Sequence, residues 1–181
     1  SNIDIGNLYG LALTSIELAN FDQAQLILDL FIKRFQEYNH FHLAYAKLLL
    51  AKNNRQQAIT YLKSIISLSP RNIPLTLYYS EVELNYGSAE ISHETLLDLF
   101  NNVAPSPSQI KLIARAANAS GEYAESFSYM GEYYLSIGMF EEAIEQIKIA
   151  LTIDSITNIQ IAKFVARLSE IEDYLENTNN R

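Results

Sequence analysis

The chain repeats itself at an interval of 34 residues. Helix-ending positions recur at that interval, and they are Ala19, Asn53, Gly87 and Gly121. After Gly121 the interval halves, since Gly138 and then Ser155 follow at steps of 17 residues. A unit of this length with two helices, and with its half-period also visible, is typical of helix–turn–helix solenoids. The repeat therefore predicts an all-α fold in which antiparallel helix pairs stack on one another.

Apolar residues at three- and four-residue spacing predict ten helices along the chain. One such stripe runs from Phe140 to Ala150. The predicted helices cover residues 7–19, 22–35, 40–52, 56–68, 74–86, 92–103, 107–119, 122–136, 140–153 and 158–175. Gly87, Gly121 and Gly138 are expected in the left-handed conformation that commonly ends a helix.

These helices form one predicted domain over residues 3–176. Within it the sequence predicts five two-helix units, at about 7–36, 40–70, 74–105, 107–136 and 139–175. Residues 177–181 carry no apolar stripe and are expected to be a frayed tail. The start at Ser1-Asn2 lacks the basic and apolar stretches of a secretion signal. Those two residues fit a cleavage scar, and the sequence is expected to be a fragment of something longer.

Composition and charge exclude several classes of function. The chain has no cysteine, which excludes disulfides, cysteine-based zinc sites and thiol catalysis. Residues 1–71 carry seven basic and five acidic side chains, whereas residues 72–181 carry six basic and sixteen acidic ones. Without a basic face that neutralises phosphates, no nucleic acid is expected as a partner. The longest apolar runs fall far short of about 20 residues, so no transmembrane segment is expected.

The common catalytic and metal-binding motifs are missing from the sequence. His93-Glu94 begins like the zinc motif His-Glu-x-x-His, but the second histidine is absent. His40 and His42 are two residues apart, which on a helix directs them to different faces, so capping or packing is expected of them. Acidic residues such as Glu141-Glu142 fall on predicted outer faces. No catalytic, cofactor or metal site is predicted, and an all-helical hydrolase would require turnover by this fragment alone.

The residues within the unit resemble those of the tetratricopeptide repeat (TPR) family. Two segments carry the match. The first contains Met130-Gly131, Tyr134, Gly138, Phe140, Ala143, Ile147 and Ala150. The second contains Tyr45-Ala46, Leu49, Asn53, Ala58, Leu62, Ile65 and Pro70. Small residues such as Ala58, Gly131 and Ala143 are expected where paired helices cross closely. Ser92 and Ser126 depart from the pattern, because the family has Ala at their positions. The resemblance implies a TPR-like right-handed superhelical solenoid.

Over nearly the whole chain, the order of features is similar to the C-terminal repeat region of BepA-like periplasmic zinc metallopeptidases. The matching segments are Tyr9–Leu13, Leu112–Ala117, Gly131–Tyr134, Glu145–Ile147 and Ile161–Leu168. Such peptidases bind zinc through His-Glu-x-x-His on a helix, with the Glu activating water. The resemblance therefore implies that zinc and catalysis belong to a separate domain of a parent protein. This chain would be the non-catalytic part, with no cofactor of its own.

The same resemblance implies partners and a location. The chain would dock on its own catalytic domain in the periplasm and recruit outer-membrane β-barrel proteins or their assembly machinery. Its role would then lie in outer-membrane protein assembly and quality control. The alternative is a free-standing TPR adaptor or scaffold with no associated enzyme, located in the cytoplasm. In both cases the chain binds protein.

The concave side of such a solenoid is lined by the first helices of successive units. Mapping the groove-facing positions of the TPR family onto this sequence selects Tyr9, Leu13, Leu43, Lys47, Leu77, Glu81, Lys111, Arg115 and Glu132. Lys111 and Arg115 resemble half of the basic clamp that holds a C-terminal carboxylate, but the earlier positions do not complete it. Mixed apolar and acidic groove residues instead favour an extended or partly folded protein as the ligand. Tyr45, Tyr61 and Tyr134 fall on apolar stripes and are expected in the core.

Overall fold

The computed structural model describes residues 4–69 and 71–179. Within these residues the chain forms ten α-helices and no strand. They are α1 (Ile5–Glu17), α2 (Phe21–Arg34), α3 (Asn39–Ala51), α4 (Arg55–Leu68), α5 (Ile73–Tyr86), α6 (Ala89–Leu99), α7 (Pro107–Ala119), α8 (Tyr123–Ser136), α9 (Phe140–Ala150) and α10 (Asn158–Asn179). Among these described helices, none combines the length and the apolar character needed to cross a bilayer.

Most helices lie within three residues of their predicted bounds, and two differ more. Predicted over residues 92–103, α6 instead runs from Ala89 to Leu99. It begins earlier because the Ser88 hydroxyl accepts a hydrogen bond from the Ile91 N–H at 3.2 Å and caps the first turn. At the other end of the chain, α10 continues through 177–179, where a frayed tail was expected. Three parts of these predictions lie outside the described residues, namely the domain start at Ile3, the end of the second unit at Pro70 and residues 180–181 of the predicted tail.

Contacts between residues divide the chain into two compact units. Unit 1 comprises Ser1–Gly87 and contains α1 to α5, and unit 2 comprises Ser88–Arg181 and contains α6 to α10. Each unit has its own packing, which is described separately below. The assignment of residues 3–176 to one domain stays a prediction.

In unit 1, small buried residues recur at the predicted interval. Ala12, Ala46 and Ser80 lie 34 residues apart on α1, α3 and α5, and each is completely buried. The α1–α3 and α3–α5 pairs are in contact. Ala24 and Ala58 occupy the corresponding buried positions on α2 and α4. Because a short side chain lets two helix backbones approach, this spacing fixes α1, α3 and α5 as neighbours.

In unit 2, α8 packs against both of its sequence neighbours. Toward α7, the buried Ser126 hydroxyl donates a hydrogen bond to the Ala114 carbonyl at 2.9 Å, which satisfies the Ser that replaces the family's Ala. Toward α9, a Cβ added to Gly131 would lie 2.9 Å from Ile147 Cγ1 and 3.3 Å from the Ala143 carbonyl oxygen. One helix thus serves as the second member of the α7–α8 pair and the first member of the α8–α9 pair.

The turns that end the helices have a left-handed backbone at four of the six repeat positions, with Gly87 and Ser155 as the exceptions. Positive φ angles occur at Ala19 (58°), Asn53 (61°), Gly121 (88°) and Gly138 (79°). The prediction for Gly87 was wrong, because its φ is −125°. A side chain at Gly87 would instead overlap the carboxylate of Glu83 and would lie 3.0 Å from Ile59 Cδ1. Glycine is needed there for space and not for a left-handed backbone.

Candidate functional site

Six of the nine predicted groove residues lie on the three neighbouring helices α1, α3 and α5 of unit 1. They form two series at 34-residue intervals, which are Tyr9, Leu43 and Leu77 in one and Leu13, Lys47 and Glu81 in the other. Lys47 and Glu81 are exposed, and the other four side chains are half-buried. We call these six residues the odd-helix surface. All six leave part of their surface available to a partner.

Tyr9 joins the first two helices of the odd-helix surface. Its hydroxyl donates a hydrogen bond to the His40 carbonyl at 3.4 Å, and its ring lies edge-on to the rings of His40 and Phe41. Burial raises the pKa of the Tyr9 hydroxyl above its ordinary value. An aromatic side chain held in this way offers contact area at a small further loss of conformational entropy on binding.

The charged members of the odd-helix surface lie beside a tyrosine on α5. Lys47 Nζ is 5.9 Å from the centre of the Tyr78 ring. Burial, and next the negative charge of Glu81, raises the pKa of the Tyr78 hydroxyl to about 12, so it stays a hydrogen-bond donor at neutral pH. The surface therefore combines apolar patches, one cation and one anion within a single unit.

The remaining three predicted residues lie in unit 2, where Lys111 and Arg115 continue the two 34-residue series of the sequence and Glu132 does not. Lys111 and Arg115 are exposed one turn apart on α7, and Lys111 Nζ is 4.5 Å from the centre of the Tyr133 ring. Glu132 on α8 is already engaged, because its two carboxylate oxygens accept hydrogen bonds from Arg167 Nε and Nη2 at 2.7 and 2.8 Å. This bidentate pair raises the pKa of Arg167. A partner that binds Glu132 must compete with α10.

Unit 1 also contains a cleft that the sequence interpretation missed. It has a volume of about 460 Å³ and lies between the ends of α2, α3 and α4. His42 Nε2 donates a hydrogen bond to the Gln36 carbonyl at 2.9 Å, so its Nδ1 is left to accept from the Tyr61 hydroxyl at 2.6 Å. Burial, followed by the neighbouring Tyr45 and Asp29, raises the pKa of Tyr61. These bonds give His42 a packing role.

The tyrosines expected in the core are only half-buried. Tyr45 and Tyr61 pack their rings 4.8 Å apart and line the cleft beside His42. Tyr134 is also half-buried, with its ring 5.4 Å from that of Tyr133. Their positions on apolar stripes were correctly recognised, but stripe position alone does not show that a hydroxyl reaches the surface. The partners of Tyr45 and Tyr61 come from other helices, which no local pattern reveals.

Unit 2 contains a second cleft, which we call the acidic cleft. Its volume is about 440 Å³. It is lined by α6, by the α7–α8 turn, by α8 and by α10. The lining residues are Glu90, His93, Glu94, Leu97, Ser120, Glu122, Glu125, Tyr129 and Lys163. Four of these nine residues are glutamates, so the potential in the cleft favours a cation.

One ammonium group already lies in the acidic cleft. Lys163 Nζ is 3.1 Å from Glu125 Oε2 and 5.9 Å from the centre of the Tyr129 ring. Gln160 Nε2 donates a hydrogen bond to the other oxygen of Glu125 at 3.1 Å. Burial, followed by the nearby carboxylates Glu125 and Glu132, raises the pKa of Tyr129 to about 12. Carboxylate and aromatic face together form a site that suits a primary amine.

His93 lines the same cleft and has an unsatisfied nitrogen. The residue is 7% exposed, and its Nε2 has no hydrogen-bond partner. Burial lowers the pKa of His93 despite the opposing effect of Glu122, Glu125 and Glu94. Within residues 4–69 and 71–179, no group of three or more His, Asp or Glu side chains could hold a metal ion. Because its pKa is lowered, His93 is a neutral imidazole beside carboxylates at neutral pH.

Comparisons with solved structures show the fold. The chain is similar to the MamA RS-1 ArsTM double mutant, with a TM-score of 0.63 and 11% identity over 98% of this chain and 99% of that chain. It is also similar to a tetratricopeptide repeat protein from Parabacteroides merdae, with a TM-score of 0.51 and 18% identity over 92% of this chain and 58% of that chain. No protein-family model and no curated protein matches the sequence. The prediction of an all-α, TPR-like solenoid fold is confirmed.

Proposed function

We propose that this chain is a protein-binding module that holds a partner on the odd-helix surface of unit 1. The observation that carries the proposal is the register of that surface. Residues at equivalent positions of α1, α3 and α5 remain exposed or half-buried, while Ala12, Ala46 and Ser80 on the same helices are fully buried. A TPR-like fold is well suited to display such a continuous surface to a polypeptide.

The ligand that fits this surface best is an extended or partly folded polypeptide. The surface offers aromatic and aliphatic area at Tyr9 and Leu43, with Lys47 and Glu81 as opposite charges. Interfaces of this kind obtain affinity from anchors such as aromatic residues and register from charged groups at the rim. We infer that the partner presents apolar side chains flanked by both an acidic and a basic residue.

Site-specific crosslinking tests this assignment. A photoreactive benzoylphenylalanine is placed at Lys47 or at Glu81, because both side chains are exposed. Matched control positions are Gln57 and Lys63, which are exposed on α4 of the same unit. We expect Lys47 and Glu81 to yield adducts with one and the same protein in the native cell extract. Neither control position should yield that adduct.

The assignment to the odd-helix surface is wrong if the α4 positions give the same adduct in equal yield, or if Lys47 and Glu81 give none. Once the partner is identified, the charge reversals Lys47→Glu and Glu81→Lys should each weaken its affinity about tenfold, which corresponds to about 1.4 kcal/mol. An unchanged affinity for both variants would remove these two residues from the interface.

We also propose a more specific origin, as the non-catalytic C-terminal domain of a periplasmic zinc metallopeptidase. The support is the order of the motifs from Tyr9–Leu13 to Ile161–Leu168 in the sequence. The partners would then be the catalytic domain of the same protein and outer-membrane β-barrel proteins or their assembly machinery. The chain itself would not hydrolyse peptides, because His93-Glu94 lacks the second histidine of the zinc motif.

The parent gene tests this origin directly. A His-Glu-x-x-His segment encoded upstream of Ser1, preceded by a secretion signal, is the expected result. A parent gene without that segment would refute the metallopeptidase origin and leave a free-standing adaptor. The odd-helix surface would be unaffected by that outcome, because it depends on unit 1 alone.

A further inference from the structure

The negative charge of the chain is concentrated in unit 2. Residues 1–87 carry seven basic and seven acidic side chains, so unit 1 has no net charge. Residues 88–181 carry six basic and fourteen acidic side chains, which gives unit 2 the entire net charge of −8. A unit with this imbalance attracts cationic partners over distances of about one Debye length, roughly 8 Å at physiological salt.

Within unit 2, the acidic cleft already shows which ligand chemistry it accepts. Lys163 places a primary ammonium against the Glu125 carboxylate at 3.1 Å and near the face of the Tyr129 ring. Its side chain lines the cleft and is 55% exposed, so the cleft beside it stays open to solvent. The contacts of Lys163 are those by which a basic side chain of another protein would be recognised.

The rest of the acidic cleft has unused capacity for a cation. Glu90, Glu94 and Glu122 are exposed in the cleft, and none of them forms a salt bridge within the described part of the chain. His93 lies among them, 93% buried, with Nε2 unpartnered. A buried polar atom without a partner is destabilising, so a ligand group that hydrogen-bonds to it favours binding. Three free carboxylates and one imidazole acceptor together match a donor-rich cation.

We propose that the acidic cleft binds a basic side chain, lysine or arginine, from an extended segment of a partner protein, next to the chain's own Lys163. The carboxylates of Glu94 and Glu122 attract and orient the incoming cation, and His93 accepts one of its hydrogen bonds. This site lies in unit 2, so it can be tested independently of the odd-helix surface of unit 1.

Binding of pentalysine to the full chain tests the proposal. Affinity is measured by calorimetry at 150 mM salt, with a Gly-Ser peptide of equal length and free spermidine as the comparison ligands. The double variant Glu94→Gln/Glu122→Gln should weaken pentalysine binding at least tenfold. The matched control is Glu141→Gln/Glu145→Gln, which removes the same charge from exposed positions of α9 outside the cleft. The control should change the affinity less than twofold.

Two further measurements separate specific recognition from general attraction. Lys163→Gln frees Glu125 from its internal cation, so it should strengthen pentalysine binding severalfold. Imidazole NMR signals should shift on titration for His93 and stay constant for His40 and His42, which lie in unit 1. Circular dichroism of each variant, compared with the unmodified chain, establishes that the helices are retained.

The proposal is overturned if the unmodified chain does not bind pentalysine, or if the cleft and control variants weaken binding equally. It is also overturned if the His93 signal does not move. Spermidine binding as tightly as pentalysine would show a site for free polyamines and would refute the assignment to a partner protein. Loss of pentalysine binding with intact crosslinking at Lys47 and Glu81 would leave the proposed function of unit 1 standing.

Discussion

Alanine substitutions at three glycines should change stability in opposite directions, although none of them alters packing. A Cβ added at Gly10, Gly121 or Gly138 would meet no atom within 4 Å. The three positions differ in backbone conformation, because Gly10 lies within α1 while Gly121 and Gly138 have φ angles of 88° and 79°. Any effect of the added methyl group therefore reports the backbone alone.

The magnitudes follow from the conformations. An L residue in the left-handed region costs about 1–2 kcal/mol. The lower entropy of the unfolded chain offsets about 0.4–1 kcal/mol of this cost. Gly121→Ala and Gly138→Ala should therefore each lower the free energy of unfolding by about 1 kcal/mol. Gly10→Ala should raise it by about 0.8–1 kcal/mol, because alanine is the better helix former.

Urea denaturation followed by circular dichroism measures these changes. With an m-value of about 1–3 kcal/mol/M, a change of 1 kcal/mol moves the midpoint by about 0.3–1 M. Since Gly10 is in unit 1 and the other two are in unit 2, amide hydrogen exchange of each unit should accompany the denaturation curves. If Gly121→Ala stabilises unit 2, or if all three variants shift in the same direction, the argument from φ is refuted.

Three further perturbations have definite expected outcomes. Gly131→Val should destabilise unit 2 by about 1–3 kcal/mol in urea denaturation, because its Cβ alone would lie 2.9 Å from Ile147 Cγ1; an unchanged midpoint would contradict the close α8–α9 packing. Glu132→Gln should lower the free energy of unfolding by up to about 1 kcal/mol, because Arg167 is 41% exposed and solvent weakens the ion pair. The decrease should be smaller in 1 M salt, which screens the pair. A decrease that does not depend on salt would contradict an electrostatic origin. Burial lowers the pKa of His93, so as the pH falls below about 6.5 the unfolded chain takes up a proton at this side chain before the folded chain does. The free energy of unfolding should therefore decrease there by at most about 1.4 kcal/mol per pH unit. That part of the pH dependence should disappear in His93→Gln, and its persistence would show that another group is responsible.

The sequence was sufficient to predict the helices because their signals are local. α7 occupies Pro107–Ala119, the predicted range, since Ser106 and Gln109 form a capping box before the apolar stripe. At α6 the apolar stripe suggested a start at Ser92, and the cap formed by Ser88 was overlooked. The wrong prediction for Gly87 has a related cause. Its neighbour Ile59 is on a different helix, and no sequence interval indicates that the two residues meet.

The candidate sites were less predictable because they depend on contacts between distant helices. The repeat interval selected positions in equivalent register, of which Lys47 is exposed and Leu43 is half-buried, and their role in binding stays a prediction. The acidic cleft requires α10 to bring Lys163 to Glu125, 38 positions away in the chain. That interval does not match the 34-residue period, so alignment of the repeat to itself could not reveal the pair.

The double use of α8 has a consequence for how such a chain can change in length. When one helix completes the preceding hairpin and opens the following one, the array grows by a single helix and not by two. Within unit 2, two ion pairs join the even-numbered helices α8 and α10, one between Lys163 and Glu125 and one between Arg167 and Glu132. A family of such proteins could therefore contain members with odd and even numbers of helices, without any insertion that disturbs a core.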